Sequence, residues 1–227
     1  KMMVIVSPSN PTGGVLTRDN LEEVSRLAAK HDLLVLSDEI YEKLVYDESR
    51  PHISIASFPG MKERTLLLNG LSKSMAMTGW RVGYIAAPVE LLEPINRLCF
   101  YMTAGSTSFV QYAAAIALRH QDGSVEKMRR EFRRRRDYLV REINSMKHFS
   151  CAVPKGAFYV FMNIKRSGMD SSEFCEYVLG RYGLALVPGE AFGESGRGFV
   201  RMSYAASMDT LEKAIDFLKE IDDEIKN

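Results

Sequence analysis

The sequence predicts an α/β fold built on parallel strands, and two observations carry that reading. Apolar runs short enough to be buried strands alternate with longer stretches whose apolar residues recur at helical spacing. The first such pair of runs is separated by a segment long enough to cross over a sheet, which is what parallel neighbours require. Met2 to Ser7 is almost continuously apolar and reads as a buried strand. Two prolines and two glycines in Ser7-Pro8-Ser9-Asn10-Pro11-Thr12-Gly13-Gly14 then demand a stiff turn. Thr17 can cap a helix with Leu21, Val24, Leu27 and Ala28 on one face, and Asp19, Glu22 and Glu23 lie near its positive end. Leu33 to Ser37 supplies the second strand and closes a βαβ unit.

Arg64 to Asn69 and Arg81 to Ala87 follow as strands apolar enough for a covered sheet, and a helix is expected after Pro88. Phe109 to Leu118 reads as helix. Val125, Met128, Phe132, Leu139, Ile143 and Met146 continue an apolar stripe along a long, partly interrupted helix. Beyond Pro154 the expected order is strand (Ala157 to Ile164), helix (Ser171 to Tyr182), strand (Leu184 to Val187), strand (Phe199 to Tyr204) and a final helix. That last helix carries Leu211, Ile215, Leu218, Ile221 and Ile225 on one face.

Composition narrows the class. The 227 residues are 46% apolar and 26% charged, with 30 basic against 29 acidic side chains, which disfavours disorder and a polyelectrolyte partner. The three cysteines, Cys99, Cys151 and Cys175, form no paired motif and no metal cluster with the histidines, so a reduced, cytoplasmic setting is expected. No apolar stretch reaches the roughly 20 residues of a membrane span. The arginine-rich run from Arg129 to Arg136 lies on a helix whose Met128, Phe132 and Leu139 form the apolar stripe, so most of these arginines belong to a solvated face. Neither nucleic acid nor membrane is an expected partner.

The most specific segment runs from Asn69-Gly70-Leu71-Ser72-Lys73-Ser74 to Thr78-Gly79-Trp80-Arg81-Val82-Gly83. A phosphate-binding P-loop fails on spacing, because Ser72 and Leu67 stand where that motif needs glycines. What remains is a Ser-Lys pair after a strand with an arginine eight residues on. Taken with Ser9-Asn10-Pro11-Thr12-Gly13 and Ser37-Asp38-Glu39-Ile40-Tyr41, it resembles the fold type I aminotransferases dependent on pyridoxal 5'-phosphate (PLP), of the class I and II group. The motifs are collinear from the Asn-Pro-Thr-Gly loop to Phe199-Val200-Arg201-Met202-Ser203. Each alone has a plainer reading: Asn10 to Gly13 a turn, Asp38-Glu39 a helix start, Tyr41 core, Lys73 and Arg201 surface.

The resemblance implies roles for particular residues. Lys73 would form the Schiff base with PLP and then move the substrate proton. Asp38 would pair with the pyridine nitrogen, and Asn10 and Tyr41 would bind the phenolic oxygen. Ser72 and Arg81 would bind the phosphate, and Arg201 the substrate α-carboxylate. No metal is implied. The substrates would be an amino acid and a 2-oxo acid, and the assembly a homodimer. Gly70 stands where some family members carry a phosphate-binding serine, which leaves Ser72 and Arg81 to share that group with others. A PLP-dependent C-S lyase or cyclase on the same fold, and an effector-sensing domain of a transcription regulator, are the alternatives.

The resemblance also implies an organisation: residues 1–105 as the later part of a mostly parallel PLP-binding large-domain sheet, 106–147 as connecting long helices, and 148–227 as a small C-terminal α/β domain. The phosphate cradle and the ring that stacks on the cofactor, which family members carry upstream, are not found. The chain is therefore expected to be a C-terminal portion, with an exposed sheet edge at Met2 to Ser7 and weak PLP binding by itself.

Overall fold

The computed structural model describes residues 1–120 and 122–225. The strands are β1 (Met2–Val6), β2 (Leu34–Asp38), β3 (Thr65–Gly70), β4 (Gly83–Ala86), β5 (Ser150–Cys151), β6 (Tyr159–Asn163), β7 (Val187–Pro188) and β8 (Phe199–Ser203). The helices are α1 (Arg18–Lys30), α2 (Leu71–Ser74), α3 (Val89–Thr103), α4 (Ser108–Arg119), α5 (Ser124–Asn144), α6 (Ser171–Tyr182) and α7 (Met208–Glu224). They form two compact units. One holds Lys1–Pro8 and Val15–Lys127, the other Ser9–Gly14 and the chain from Met128 onward.

The first unit is a four-stranded sheet in the order β1-β2-β3-β4. The predicted βαβ unit is present: β1 and β2 are parallel, with Val4 beside Leu36, and α1 connects them. Thr17 caps α1 in a reciprocal box, its hydroxyl accepting from the Asn20 amide while the Asn20 side chain accepts from the Thr17 amide. Leu21 and Ala28 of α1 pack with Val35, Ile55, Phe58 and Met61, the core of this unit. β3 adds in parallel to β2 and β4 antiparallel to β3.

The expected sheet edge at Met2 to Ser7 is present, since only β2 pairs with β1, but Met2 and Val4 are exposed where the apolar run alone reads as buried. β4 is likewise an edge, antiparallel and mostly exposed rather than covered, since the chain returns from β3 through a short turn segment instead of a crossover. Pattern alone cannot separate a covered strand from an apolar edge.

The second unit is an antiparallel sheet, β5-β6-β8-β7, with α5, α6 and α7. Its core gathers Leu139, Ile143, Val160, Met162, Phe174, Val178, Val200, Tyr204, Ile215 and Leu218, all buried. The expected long helix is two, α4 and α5, parted near Gly123, whose φ of +82° no side-chain-bearing residue adopts readily. The strand expected at Leu184 to Val187 shrinks to Val187–Pro188, and β5 was not expected at all. Arg136 departs from the solvated face foreseen for its run: it is buried, with Nη1 donating to the Pro154 carbonyl. Its neighbours Arg134 and Arg135 pair with Glu131 at the surface.

Gly13 explains why Ser9–Gly14 belongs to this unit. Its carbonyl accepts from the amides of Lys155 and Gly156, and a Cβ on Gly13 would lie 2.5 Å from Pro154 Cβ. With φ at +68° as well, the position admits only glycine without strain.

Candidate active site

The predicted residues fall into two groups, one in each unit. In the first, β2 and β3 run parallel and end side by side, with Asp38 in register with Leu68. Asp38 is thus the last residue of its strand, at the carboxyl edge where α/β sheets place ligand groups. The backbone there is stitched to both neighbours: the Ser7 amide donates to the Asp38 carbonyl at 3.1 Å, and the Glu39 amide to the Leu68 carbonyl at 2.9 Å. One Asp38 carboxylate oxygen accepts from the Ile40 amide at 3.1 Å. Tyr41 follows in a tight turn and is buried.

β3 runs directly into the single helical turn α2, which carries Ser72 and Lys73, both half-buried. Ser74 tightens that turn by donating to the Gly70 carbonyl at 3.2 Å. Gly70 pairs with Gly83 across β3 and β4, and a Cβ on Gly70 would stand 3.0 Å from Gly83 Cα and 3.1 Å from the Val82 carbonyl oxygen. This close approach gives a steric reason for glycine where some family members have serine. Arg81 occupies the left-handed region at φ +51° and donates from Nη1 to the Thr78 carbonyl at 2.8 Å. Tyr84, opposite Asn69 on β4, has its hydroxyl pKa raised by burial and by the charges of Glu42 and Glu39.

In the second unit Asn10 and Arg201 meet. Arg201 lies on β8 between β6 and β7, and its Nη1 donates to Asn10 Oδ1 at 2.7 Å. The guanidinium carbon lies 4.5 Å from the Tyr159 ring centroid and 5.0 Å from that of Phe192, so two aromatic faces hold it. Arg201 Nε is buried with no hydrogen-bond partner. A fixed fork with an unmet donor suits a planar anion such as a carboxylate.

Several residues of this neighbourhood escape the sequence reading. Tyr159 falls in the strand expected at Ala157 to Ile164, but nothing in the sequence pairs it with Arg201; Phe192 carries no signal at all. In the first unit the half-buried His52 and Ser54 meet the buried carboxylate of Glu39, the residue after Asp38. Only the adjacency of Glu39 to Asp38 hints at it. Among the described residues no group of three or more His, Cys, Asp or Glu side chains is placed to hold a metal ion, and no helix is long and apolar enough to cross a membrane.

A model of the family described as aminotransferase class I and II matches residues 1–218. The chain belongs to that family. It is 46% identical over 223 residues to an aspartate aminotransferase of Pyrococcus abyssi, covering 97% of this chain and 57% of that protein. It is equally similar to the aromatic-amino-acid aminotransferase 2 of Thermococcus litoralis, with the same coverage. Among solved structures, the aromatic aminotransferase from Pyrococcus horikoshii superposes with a TM-score of 0.93 at 45% identity, covering 97% of this chain and 59% of that one. The aspartate aminotransferase from Rhizobium meliloti gives 0.92 at 34% identity, with 98% and 58% covered. The chain spans about half the length of the family members it matches.

Proposed function

We propose that the protein is a PLP-dependent aminotransferase that exchanges an amino group between an amino acid and a 2-oxo acid. The observation that carries this is Arg201, held between Tyr159 and Phe192, bound to Asn10 and left with an unmet buried donor. A site of that kind fits the carboxylate common to both substrates. The donors of the first unit fit the cofactor: an amine at Lys73, a carboxylate at Asp38, a phenol at Tyr41, and a hydroxyl and guanidinium at Ser72 and Arg81. PLP, when bound, supplies the electron sink that stabilises negative charge at the substrate α-carbon.

The chain's own residues do the rest. Lys73 Nζ would attach the cofactor and would carry the proton from the substrate α-carbon. Asp38 would accept a hydrogen bond from the protonated pyridine nitrogen, Tyr41 and Asn10 would donate to the phenolic oxygen, and Ser72 and Arg81 would hold the phosphate. Arg201 orients the substrate by its carboxylate, a positional contribution to rate. The family members named for aspartate and for aromatic amino acids make acidic and aromatic amino acids the substrates to try first. A homodimer in the cytoplasm, and the division into a cofactor-binding large domain and a small C-terminal domain, complete the reading.

The test uses full-length protein. Borohydride trapping followed by peptide mass analysis is expected to find the cofactor on the peptide containing Lys73. Lys73→Ala should remove both the adduct and amino transfer to an added 2-oxo acid. An adduct retained in Lys73→Ala, or pyruvate and ammonia released from a β-substituted amino acid with no transfer, would overturn the proposal.

A further inference from the structure

The chain carries two consecutive carboxylates where β2 ends, Asp38 as the last residue of the strand and Glu39 directly after it. Asp38 is half-buried, with one carboxylate oxygen accepting from the Ile40 amide. Glu39 turns inward and is 2% exposed. A carboxylate so buried is costly unless its oxygens are met by donors, and here they are. Ser37 Oγ donates at 2.9 Å and Ser54 Oγ at 2.8 Å to one oxygen, while His52 Nε2 lies 2.7 Å from the other. His52 Nδ1 is buried without a partner, so the tautomer that strands no N–H carries its proton on Nε2 and donates it to Glu39.

The connections reach further than one side chain. Ser54 is also the N-cap of the short 3-10 turn Ile55–Ser57, accepting from the Ala56 amide, and Ile55 enters the core of the unit. The Glu39 amide binds Leu68 of β3, and the Glu39 carbonyl accepts from the Glu42 amide, closing the turn that carries Tyr41. Glu39 therefore joins the tip of β2, the neighbouring strand, the Tyr41 turn and the 52–57 segment. Burial pushes its carboxyl pKa up, but the donors from His52, Ser54 and Ser37 outweigh that and hold it below the ordinary range.

We propose that Glu39, clamped by Ser37, His52 and Ser54, is a positioning residue that fixes the backbone from which Asp38 meets the cofactor ring. This rests on the reading of Asp38 under the proposed function. Glu39 touches neither cofactor nor substrate in this proposal; it acts through Asp38.

Equilibrium dialysis of PLP against full-length protein provides the test, with the visible absorption maximum of the bound cofactor as second readout. Because a displacement of about 1 Å can cost about a hundredfold in function, partial release of Asp38 by Glu39→Gln is expected to weaken PLP binding about tenfold. It should also move the absorption maximum in the same direction as Asp38→Asn. In an Asp38→Asn background, Glu39→Gln should have no further effect. His52→Gln, whose amide keeps a donor near the Nε2 position, should bind PLP nearly as the parent does, whereas His52→Ala should resemble Glu39→Gln.

If Glu39→Gln fails to fold, His52→Ala and Ser54→Ala each remove a single donor and are read in the same way. Loss of thermal stability with unchanged PLP affinity and spectrum, or equal effects of Glu39→Gln in both backgrounds, would overturn the proposal. An Asp38→Asn variant that binds PLP as the parent does would instead overturn the reading of Asp38 itself.

Discussion

The two units bury their apolar residues differently. In the second, α5, α6 and α7 each turn apolar residues inward, and Phe174, Val178, Leu139 and Ile215 are wholly buried. In the first, the core sits around β2, α1 and the 53–61 segment, while α3 has no buried residue. Phe100, Tyr101 and Met102 of α3, with Phe109, Tyr112 and Ile116 of α4, remain exposed, Tyr101 at 80%. The exposed α3 and α4 are more apolar in sequence than α5, α6 and α7, so hydrophobicity alone does not say which helix contributes to stability. What counts is the area removed from water, at about 25 cal/mol per Å².

The strongest test of that contrast sets two truncations side by side. Leu139→Ala, at a fully buried position of α5, is expected to cost about 2–5 kcal/mol, the transfer term plus a cavity. Tyr101→Ala should change stability by no more than about 0.5 kcal/mol. Urea unfolding, with hydrogen exchange followed separately in α5 and α3, measures both. A loss above about 1 kcal/mol for Tyr101→Ala would break the contrast, by showing that α3 is covered in solution.

Next in size are the buried carboxylates, for each unit has one beside a histidine. Glu39 is met by side chains, whereas Asp222 on α7 accepts from the Lys147 amide at 2.9 Å, the His148 amide at 2.8 Å and His148 Nδ1 at 3.0 Å. Burial raises the Asp222 pKa, but these donors and the His148 charge bring it below the ordinary value. A carboxyl depressed on folding stabilises above its unfolded pKa, near 4, and that stability is lost as pH falls through the folded value. The second unit should therefore loosen at α7 and the 147–148 segment below about pH 4. Asp222→Asn should remove that pH dependence and cost about 1–3 kcal/mol near neutrality, because one backbone donor loses its anionic acceptor. Exchange rates of the 147–148 amides against pH would sharpen the comparison; an unchanged profile in the variant would refute it.

The same contrast marks how far the sequence could be read. The capped helix after Thr17, the βαβ unit, α6 and the strand bearing Arg201 follow from local signals: a capping residue, a period, an apolar run. Edge status does not follow from such signals, because Met2–Val6 and Gly83–Ala86 look as apolar as covered strands; the edge at Met2 to Ser7 was expected from the family resemblance, and that of β4 shows only in the pairing. The chemistry-bearing positions were readable as motifs along the chain. Their supports were not, since His52 and Ser54 reach Glu39 across 13 and 15 residues, and Phe192 reaches Arg201 only because β7 and β8 pair. Likewise Gly70 was legible as a departure from pattern, but its cause, the Gly83 backbone 3.0 Å away, is visible only in three dimensions.

The smallest expected difference lies in the two capping boxes. On α1, Thr17 Oγ1 accepts from the Asn20 amide at 3.3 Å; on α6, Asp170 Oδ1 accepts from the Glu173 amide at 2.8 Å, and Glu173 answers to the Asp170 amide at 3.1 Å. Both satisfy helix-end donors that would otherwise be orphaned, so either alanine variant should cost about 1 kcal/mol. They differ in charge. Asp170 also interacts with the positive end of the helix dipole, a gain of about 0.3–1 kcal/mol that salt screens, while the neutral Thr17 has none. Asp170→Ala should therefore cost a few tenths of a kcal/mol more than Thr17→Ala in low salt. That excess should vanish near 1 M salt, where the screening length is about 3 Å. Thermal unfolding of both variants across that range measures it. A salt-independent gap would assign the difference to the shorter hydrogen bond instead, leaving charge with no part in why one unit caps its helix better than the other.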